Sequence, residues 1–304
     1  MAEVQTTTLH YTQCPICQSE NIRKVFMVAD HSVSNEEFSI YHCDNCQARF
    51  TQDIPKEEDI GRYYDSEEYI SHSNTDQGII NQLYQQVRKY TLNQKRRRIE
   101  LLTRSGSGSL LDIGCGTGEF AGIMKNSGWR VVGLEPDSEA RRQALQIQKI
   151  EAYPSQHLFE LEEGDYDVVT MWHVLEHVHQ LHEYLDQIKK VLKPKGYLVI
   201  AVPNYTSPDA QHYGAYWAAY DVPRHLYHFS PHSMKVLMEK HGFEIQRQLN
   251  MNLDAFYVSM LSEKYMGKSP ELVRGAWQGW RSYYKTWDKP ESCSSVMYVA
   301  QLGS

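Results

Sequence analysis

The chain is predicted to fold as an α/β protein, a mostly parallel sheet with helices on both faces, preceded by a small cysteine-bearing module. Three observations predict it. Strand-like and helix-like stretches alternate from residue 109 to 202, the pattern that calls for a parallel sheet with helical crossovers. The first of those strands, Leu110-Leu-Asp112-Ile, runs into a turn with glycines at three alternate positions, Gly114, Gly116 and Gly118. Ahead of them stand two Cys-x-x-Cys pairs, Cys14/Cys17 and Cys43/Cys46.

Bulk composition narrows the function classes. A chain of 304 residues holds a catalytic core of ordinary size plus one or two smaller modules. Its net charge of −7 gives no global attraction to nucleic acid or to an anionic membrane. No apolar run approaches the ~18–20 residues that span a bilayer, and the first residues lack a signal-peptide pattern. The expectation is a cytoplasmic protein with no membrane partner.

Residues 1–54 form the first predicted unit. Each Cys-x-x-Cys pair makes a tight knuckle that aims two thiolates at one point, and two knuckles supply a tetrahedral set of Cys14, Cys17, Cys43 and Cys46. β-like pieces at 22–28 and 38–42 lie between them, the pattern of a zinc ribbon with a structural Zn²⁺. His42 reads as a strand residue beside the site, and Cys115 and Cys293 as small packed residues. Residues 55–105 form a connecting segment. Its first part, 55–72, is rich in Asp, Glu and Tyr and reads as a short helix or ordered loop ending in His72. From 79 to 104 apolar residues recur at three- and four-residue steps, which predicts a helix. Lys95-Arg96-Arg97-Arg98 lies on it, either as a nucleic-acid patch or as a solvated helix face.

The third unit, 106–304, begins with a strand at 109–113. A helix near 118–127, a strand at 130–135, a helix near 137–148, a short strand at 150–153 and another helix follow. Then come a strand at 166–171, a helix near 180–192, a strand at 196–202 and a helix from about 231. The second strand ends in Glu135, placed to accept both hydroxyls of a ribose from the end of the strand next to the glycine turn. A sixth strand is expected over 242–249, a helix near 254–266, and a seventh strand, antiparallel at the sheet edge, over 296–302. The Trp/Tyr-rich piece 275–287 reads as a cap on the site or a dimer contact.

The motifs Asp112-Ile-Gly114-Cys-Gly116-Thr-Gly118, Glu135, Asp165-to-His173 and Leu192-to-Asn204 resemble the class I S-adenosylmethionine (SAM) methyltransferases over roughly residues 105–250. The resemblance implies a Rossmann-like core with a seven-stranded, mostly parallel sheet. It assigns Asp112 and the glycines Gly114, Gly116 and Gly118 to the methionine part of SAM, and Glu135 to the ribose. Trp172 and His173 would line the SAM pocket. A dinucleotide fingerprint would set the third glycine one residue later. Four histidines lie between 173 and 182, without the carboxylate pattern of a metal helix. His177 reads as holding local loop structure by hydrogen bonds.

The acceptor is expected at an aromatic lid around 204–232, where tyrosines, Trp217, Asp221, Arg224, His225 and His228 crowd together. His225 reads as a general base or as a histidine bonded into the loop. Tyr220 and Arg224 join it as candidate catalytic residues, Arg224 either for an anionic acceptor or as a partner of Asp221. His225-Leu-Tyr-His-Phe229-Ser230 is also similar to a stretch of the zinc-ribbon-bearing sugar C-methyltransferases. That resemblance implies acid–base roles for the histidine and a nearby tyrosine. This chain has Val222-Pro-Arg ahead of the histidine where those enzymes have Tyr-His-Glu. The expected function is methyl transfer from SAM to a small polar metabolite, a sugar or a carrier-linked intermediate. The alternatives are an RNA methyltransferase using the ribbon and the basic helix, and a non-catalytic SAM-binding scaffold.

Overall fold

The computed structural model describes residues 8–64, 79–251 and 253–303. The expected features at 65–72, His72 among them, lie outside the described residues. Just ahead of them, Ile60–Tyr63 form a 3₁₀ turn.

Most of the chain is organised around a sheet of seven strands. In chain order these are β6 (Ser109–Ile113), β7 (Arg130–Leu134), β8 (Ala152–Tyr153), β9 (Tyr166–Trp172), β10 (Leu192–Pro203), β12 (Phe243–Asn250) and β13 (Ser295–Leu302). Their order across the sheet is β12-β13-β10-β9-β6-β7-β8. Strands β8, β7, β6, β9 and β10 are mutually parallel, and β13 runs antiparallel to both β10 and β12. The last strand was expected at the sheet edge. It instead inserts between β10 and β12, where all six residues from Ser295 to Ala300 are buried. Their near-continuous apolar run, Val296-Met-Tyr-Val-Ala300, suits a strand covered on both faces.

Eight α-helices are described: α1 (Ile79–Thr103), α2 (Glu119–Asn126), α3 (Ser138–Gln143), α4 (Leu181–Val191), α5 (Pro208–Tyr213), α6 (Pro231–Lys240), α7 (Asp254–Tyr265) and α8 (Glu271–Thr286). Local chemistry sets several boundaries. Asp137 caps α3 by accepting from Ala140 N–H at 2.7 Å, and Ser230 closes a capping box with Ser233 at the start of α6. None of the described helices is long and apolar enough to cross a membrane.

The N-terminal strands β2 (Ile22–Ala29), β3 (Glu37–Cys43) and β4 (Arg49–Thr51) form an antiparallel sheet with a fourth strand from far along the chain, β11 (Tyr227–His228). Tyr227 pairs with Phe50, and His228 with Arg49. The two sheets share a continuous core: Cys14, Ile16, Phe50 and Ile54 pack in one cluster with Leu175, Leu226, Phe229 and Met234. Two further short strands, β1 (Thr8–Leu9) and β5 (Ile54–Pro55), pair with each other.

Candidate functional site

The glycine turn forms where β6 ends. Gly114 and Cys115 N–H both donate to Leu134 O, at 2.7 and 3.0 Å, so the turn is stitched to the end of β7. Gly114 has φ +70°, and a Cβ there would lie 2.3 Å from Val174 Cγ2. Only glycine fits both the backbone and the contact. Gly116, at φ +53°, has nothing within 4 Å of a built Cβ and leaves the turn open on its outer side. Gly118 caps α2 in the left-handed conformation.

Glu135 follows β7 directly. Its carboxylate accepts Gly116 N–H at 2.8 Å and Asp137 N–H at 3.0 Å, and burial raises its pKa. Asp112, 1% exposed, accepts a hydrogen bond from Thr170 Oγ1 at 2.6 Å. Burial pushes its carboxyl up to about 7. At the end of β9, Trp172 packs edge-on against Phe120, and Lys95 Nζ stands 4.3 Å from the Trp172 ring centroid. Burial lowers the Lys95 pKa, against the pull of Asp254 and Asp112. His173, at φ +58°, is 3.0 Å from Asp254 Oδ2 through Nε2 and 3.5 Å from Glu176 Oε1 through Nδ1. Burial alone would lower its pKa, but these two carboxylates outweigh it and hold the ring at about 9.

These residues therefore converge on one mouth, at the carboxyl ends of β6, β7 and β9, where open α/β sheets bind ligands. Asp112, Gly114, Gly116, Gly118, Glu135, Trp172 and His173 are all at or beside it. Lys95 was read only as part of a basic run. Its signal is one of periodicity: it shares a helix face with Leu92, Ile99 and Leu102, which pack inward.

A second cluster begins one residue further on. Val174, which abuts Gly114, sits between His173 and the short turn Leu175–His177. Glu176 is fully buried, and its carboxylate oxygens, His177 and His225 offer ligand-type atoms all within 4.8 Å of one another. His225 Nδ1 lies 2.9 Å from Ala219 O, and His177 Nδ1 lies 2.9 Å from Arg224 O. A carbonyl only accepts, so both rings carry their proton on Nδ1 and present an Nε2 lone pair. The rings meet edge to face at 4.5 Å. Burial lowers His177 to about 4. His177 thus does hold the loop, as expected, while standing against His225.

Tyr220 is corrected by the structure as a catalytic candidate, and Arg224 takes the second of its two readings, as a partner of Asp221. Tyr220 is 2% exposed, wedged between Trp217, Phe26 and His228, and its hydroxyl takes a hydrogen bond from Arg49 at 2.6 Å. Arg224 is 1% exposed and donates to Asp30 (2.9 Å), Asp221 (2.7 Å), Ser32 Oγ and Tyr63 O. The aromatic lid is likewise mostly a seam. Tyr205, Tyr213, Trp217 and Tyr220 pack with Val28, Phe38 and Ile40 of the N-terminal unit and with Tyr63 of the connecting segment. A unit of some fifty residues buries too little apolar surface by itself, and this segment supplies the remainder.

The four cysteines of the N-terminal unit come together. Cys14 and Cys46 sulfurs are 3.6 Å apart, Cys17 and Cys43 3.5 Å, and all four lie within 4.8 Å of one another. Tetrahedral Zn–S bonds of ~2.3 Å require edges near 3.8 Å, so the set fits such an ion. Both knuckles have the same backbone. Gln18 and Gln47, each following the second cysteine, have φ near +60° and donate N–H to Cys14 O and Cys43 O.

The basic run on α1 is mostly turned inward. Arg96 pairs with Glu100, Arg98 donates to Asn250 O and approaches its Oδ1, and of the four residues only Arg97 is exposed.

Comparison with known proteins agrees with this geometry. A family model described as a methyltransferase domain matches residues 84–248, more than half of the chain. Among curated proteins, the ubiquinone biosynthesis O-methyltransferase of Sodalis glossinidius is 36% identical over 114 residues, 34% of this chain and 46% of that protein. That of Nitrosococcus oceani is 30% identical over 177 residues, covering 52% and 71%. The match thus spans about half the length of several such relatives. A solved structure from Pyrococcus horikoshii superposes with a TM-score of 0.50 at 14% identity, covering 78% of this chain and all of that one, which speaks to the fold alone. By its family model and by the order and contents of its sheet, the chain belongs to the class I SAM-dependent methyltransferases.

Proposed function

We propose that this protein transfers the methyl group of SAM to a small polar acceptor, with His225 removing the acceptor's proton. The observation that carries the reading is the contact of Gly114 with Val174. It sets the cofactor turn directly beside the segment that holds Glu176 and His177 against His225. Methyl transfer from a sulfonium is an in-line displacement, so the protein's task is to align the acceptor and take up one proton. The Nδ1–H of His225 is held by Ala219 O, which leaves Nε2 as the proton acceptor. The buried Glu176 carboxylate beside it stabilises the imidazolium that forms.

SAM fits the residues present. Gly116, open on its outer side, would hold the methionine part, and the Glu135 carboxylate, which accepts Gly116 and Asp137 N–H, would hold the ribose hydroxyls. Lys95, over the Trp172 face and within the pull of Asp254 and Asp112, would pair with the SAM carboxylate. The bound cofactor supplies the electrophilic methyl group. The four-cysteine set would hold a structural zinc ion, its four thiolates supplying the ligands and the ion supplying folding free energy.

The acceptor class follows from the relatives named above, which act in ubiquinone biosynthesis as O-methyltransferases, and from a site that offers an imidazole base without an added-amine motif. A hydroxyl or enol oxygen on a small or carrier-linked molecule suits it. The inward turn of Lys95, Arg96 and Arg98 weakens the RNA alternative. One observation favours a second reading of the same site: Glu176, His177 and His225 have the donor set of a divalent cation, which would bind and acidify the acceptor hydroxyl in place of a free base.

The test is transfer of labelled methyl from SAM into the small-molecule fraction of cell extract, with and without nuclease. Nuclease-resistant label that His225→Ala loses by a hundredfold or more, with SAM affinity intact, supports the proposal; general bases contribute ~10²–10⁴-fold. Label lost to ribonuclease overturns it. Activity abolished by a chelator and restored by Mg²⁺ moves the assignment to the metal reading.

A further inference from the structure

Helix α8 bears three distinct stripes. Gly275, Gly279, Ser282 and Thr286 are buried on one side. A Cβ on Gly275 would lie 2.4 Å from the Met260 Cα, and one on Gly279 2.7 Å from the Phe256 Cα, so this side is pressed against the backbone of α7. On the opposite side Val273, Trp277, Trp280, Tyr284 and, one residue past the helix, Trp287 follow at three- and four-residue steps. All five are 45–67% exposed. Trp277 stacks on Trp280 at 5.1 Å and Trp280 on Tyr284 at 5.6 Å, with their planes within about 21°. Arg274, Arg281 and Lys285 form the third stripe, along one flank of the aromatic ridge.

Single exposed apolar residues need no explanation, but a continuous ridge of this kind marks a contact surface. Its chemistry selects the partner. Indole and phenol rings join a broad apolar face to a polar tip, and they favour the boundary between hydrocarbon and water. A helix with aromatics on one face and cations beside them is the pattern of a segment lying in a lipid interface. Next to the basic stripe a cavity of about 270 Å³ opens between α8 and α5, rimmed by His212, Gln278, Arg281 and Lys285. Asp209 lies at its floor with its oxygens already bonded by Trp217 Nε1, Ser282 Oγ and Ser294 Oγ. Arg274 is paired with Glu263, which leaves Arg281 and Lys285 to set the sign of this rim. Glu271 and Asp288 stand only at the two ends of the helix.

We infer that α8 is a membrane-surface helix. Its aromatic ridge lies in the headgroup region of an anionic phospholipid bilayer, with Arg281 and Lys285 on lipid phosphates at the mouth of the cavity. This departs from the absence of a membrane partner that the chain-wide charge of −7 led us to expect, because a net charge averages over a locally cationic face.

The experiment is co-flotation of the intact protein with vesicles of phosphatidylcholine alone and with added phosphatidylglycerol, with tryptophan emission recorded in parallel. Binding to the anionic vesicles, weakened by salt and accompanied by a blue shift, is expected. Trp277→Ala with Trp280→Ala lowers the partition about tenfold or more. Arg281→Ala with Lys285→Ala lowers it about 25-fold, near fivefold for each charge. Gln278→Lys, which adds a charge to the rim without touching the core, tightens it. All three proteins keep the wild-type melting temperature and SAM affinity. No binding to anionic vesicles, or equal binding to neutral ones, overturns the inference. So does a concentration-dependent dimer that the Trp277/Trp280 variant dissociates and vesicles leave intact, which would assign the ridge to a second copy of the chain.

Discussion

Asp112 and His173 sit at one mouth, and each holds its proton more tightly in the folded chain, so both contributions to stability fall as pH rises, over different windows. The Asp112 carboxyl titrates at about 7 in the folded chain and near 4 unfolded, so the folded state binds the extra proton between those values. Stability then falls as pH rises from about 4 to about 7. Asp112→Asn removes this, and the difference in melting temperature between variant and wild type should shift in favour of the variant across that window and level off above it. His173, raised to about 9 by Asp254 and Glu176, gives stability that is complete below its unfolded value near 6.5 and lost as pH rises through 9. His173→Gln should therefore trail wild type most at pH 6 and converge with it by about pH 10 in thermal melts. At the same scale, Glu135→Ala should weaken SAM binding by about 10–100-fold in calorimetric titration, the range for hydrogen bonds to a charged group. The glycine turn and its place beside Glu135 were readable in sequence because a turn's backbone and its neighbouring strand end are local properties. Tyr220 was misread, and of the two readings of Arg224 the pairing with Asp221 held while its second carboxylate went unseen, because Arg49 and Asp30 lie 171 and 194 residues away. Aromatic and charged residue types look alike in a binding wall and in a seam.

Among the elements, the two Cys-x-x-Cys knuckles carry the sharpest expectation. Each is fixed by its own N–H to carbonyl bond, and together they hold four sulfurs within 4.8 Å of one another. Metal analysis should find one zinc per chain. Cys14→Ser should lose it and lower the melting temperature, since in so small a unit metal binding is folding free energy. A Cys14→Ser protein that kept its metal would contradict the ribbon. The strands and helices of the core were legible from alternation alone, down to β13 as a strand antiparallel to its neighbours. Its place between β10 and β12 was not, because periodicity reports which faces are buried and is silent on which strand lies alongside. Only the register, from Leu198 opposite Ala300 to Pro203 opposite Ser295, fixes that. The basic run on α1 teaches the same lesson: a count of Lys and Arg says nothing of the helix face they occupy.

For the molecule as a whole, the N-terminal unit and the acceptor segment are one construction. Thr51 Oγ1 donates to His225 O, Tyr205 and Ser230 hydroxyls both donate to Gln47 O, and His182 Nε2 meets Pro15 O. Arg224 ties Asp30 to Asp221 at the centre of this seam, and both carboxylates are held below their ordinary pKa against the cost of burial. Arg224→Met leaves Asp30 buried without its cation, and should cost about 3–5 kcal/mol in urea denaturation. The pairing of β4 with β11 has a historical consequence as well. A recombination event that brought in a different N-terminal unit would arrive without the strand partner that Tyr227 and His228 provide, and would unseat the loop that carries His225. The cysteine module and the loop that carries His225 should therefore be inherited as a pair. Across descendants of this gene they should change together or be lost together, while the cofactor half of the sheet is free to diverge alone.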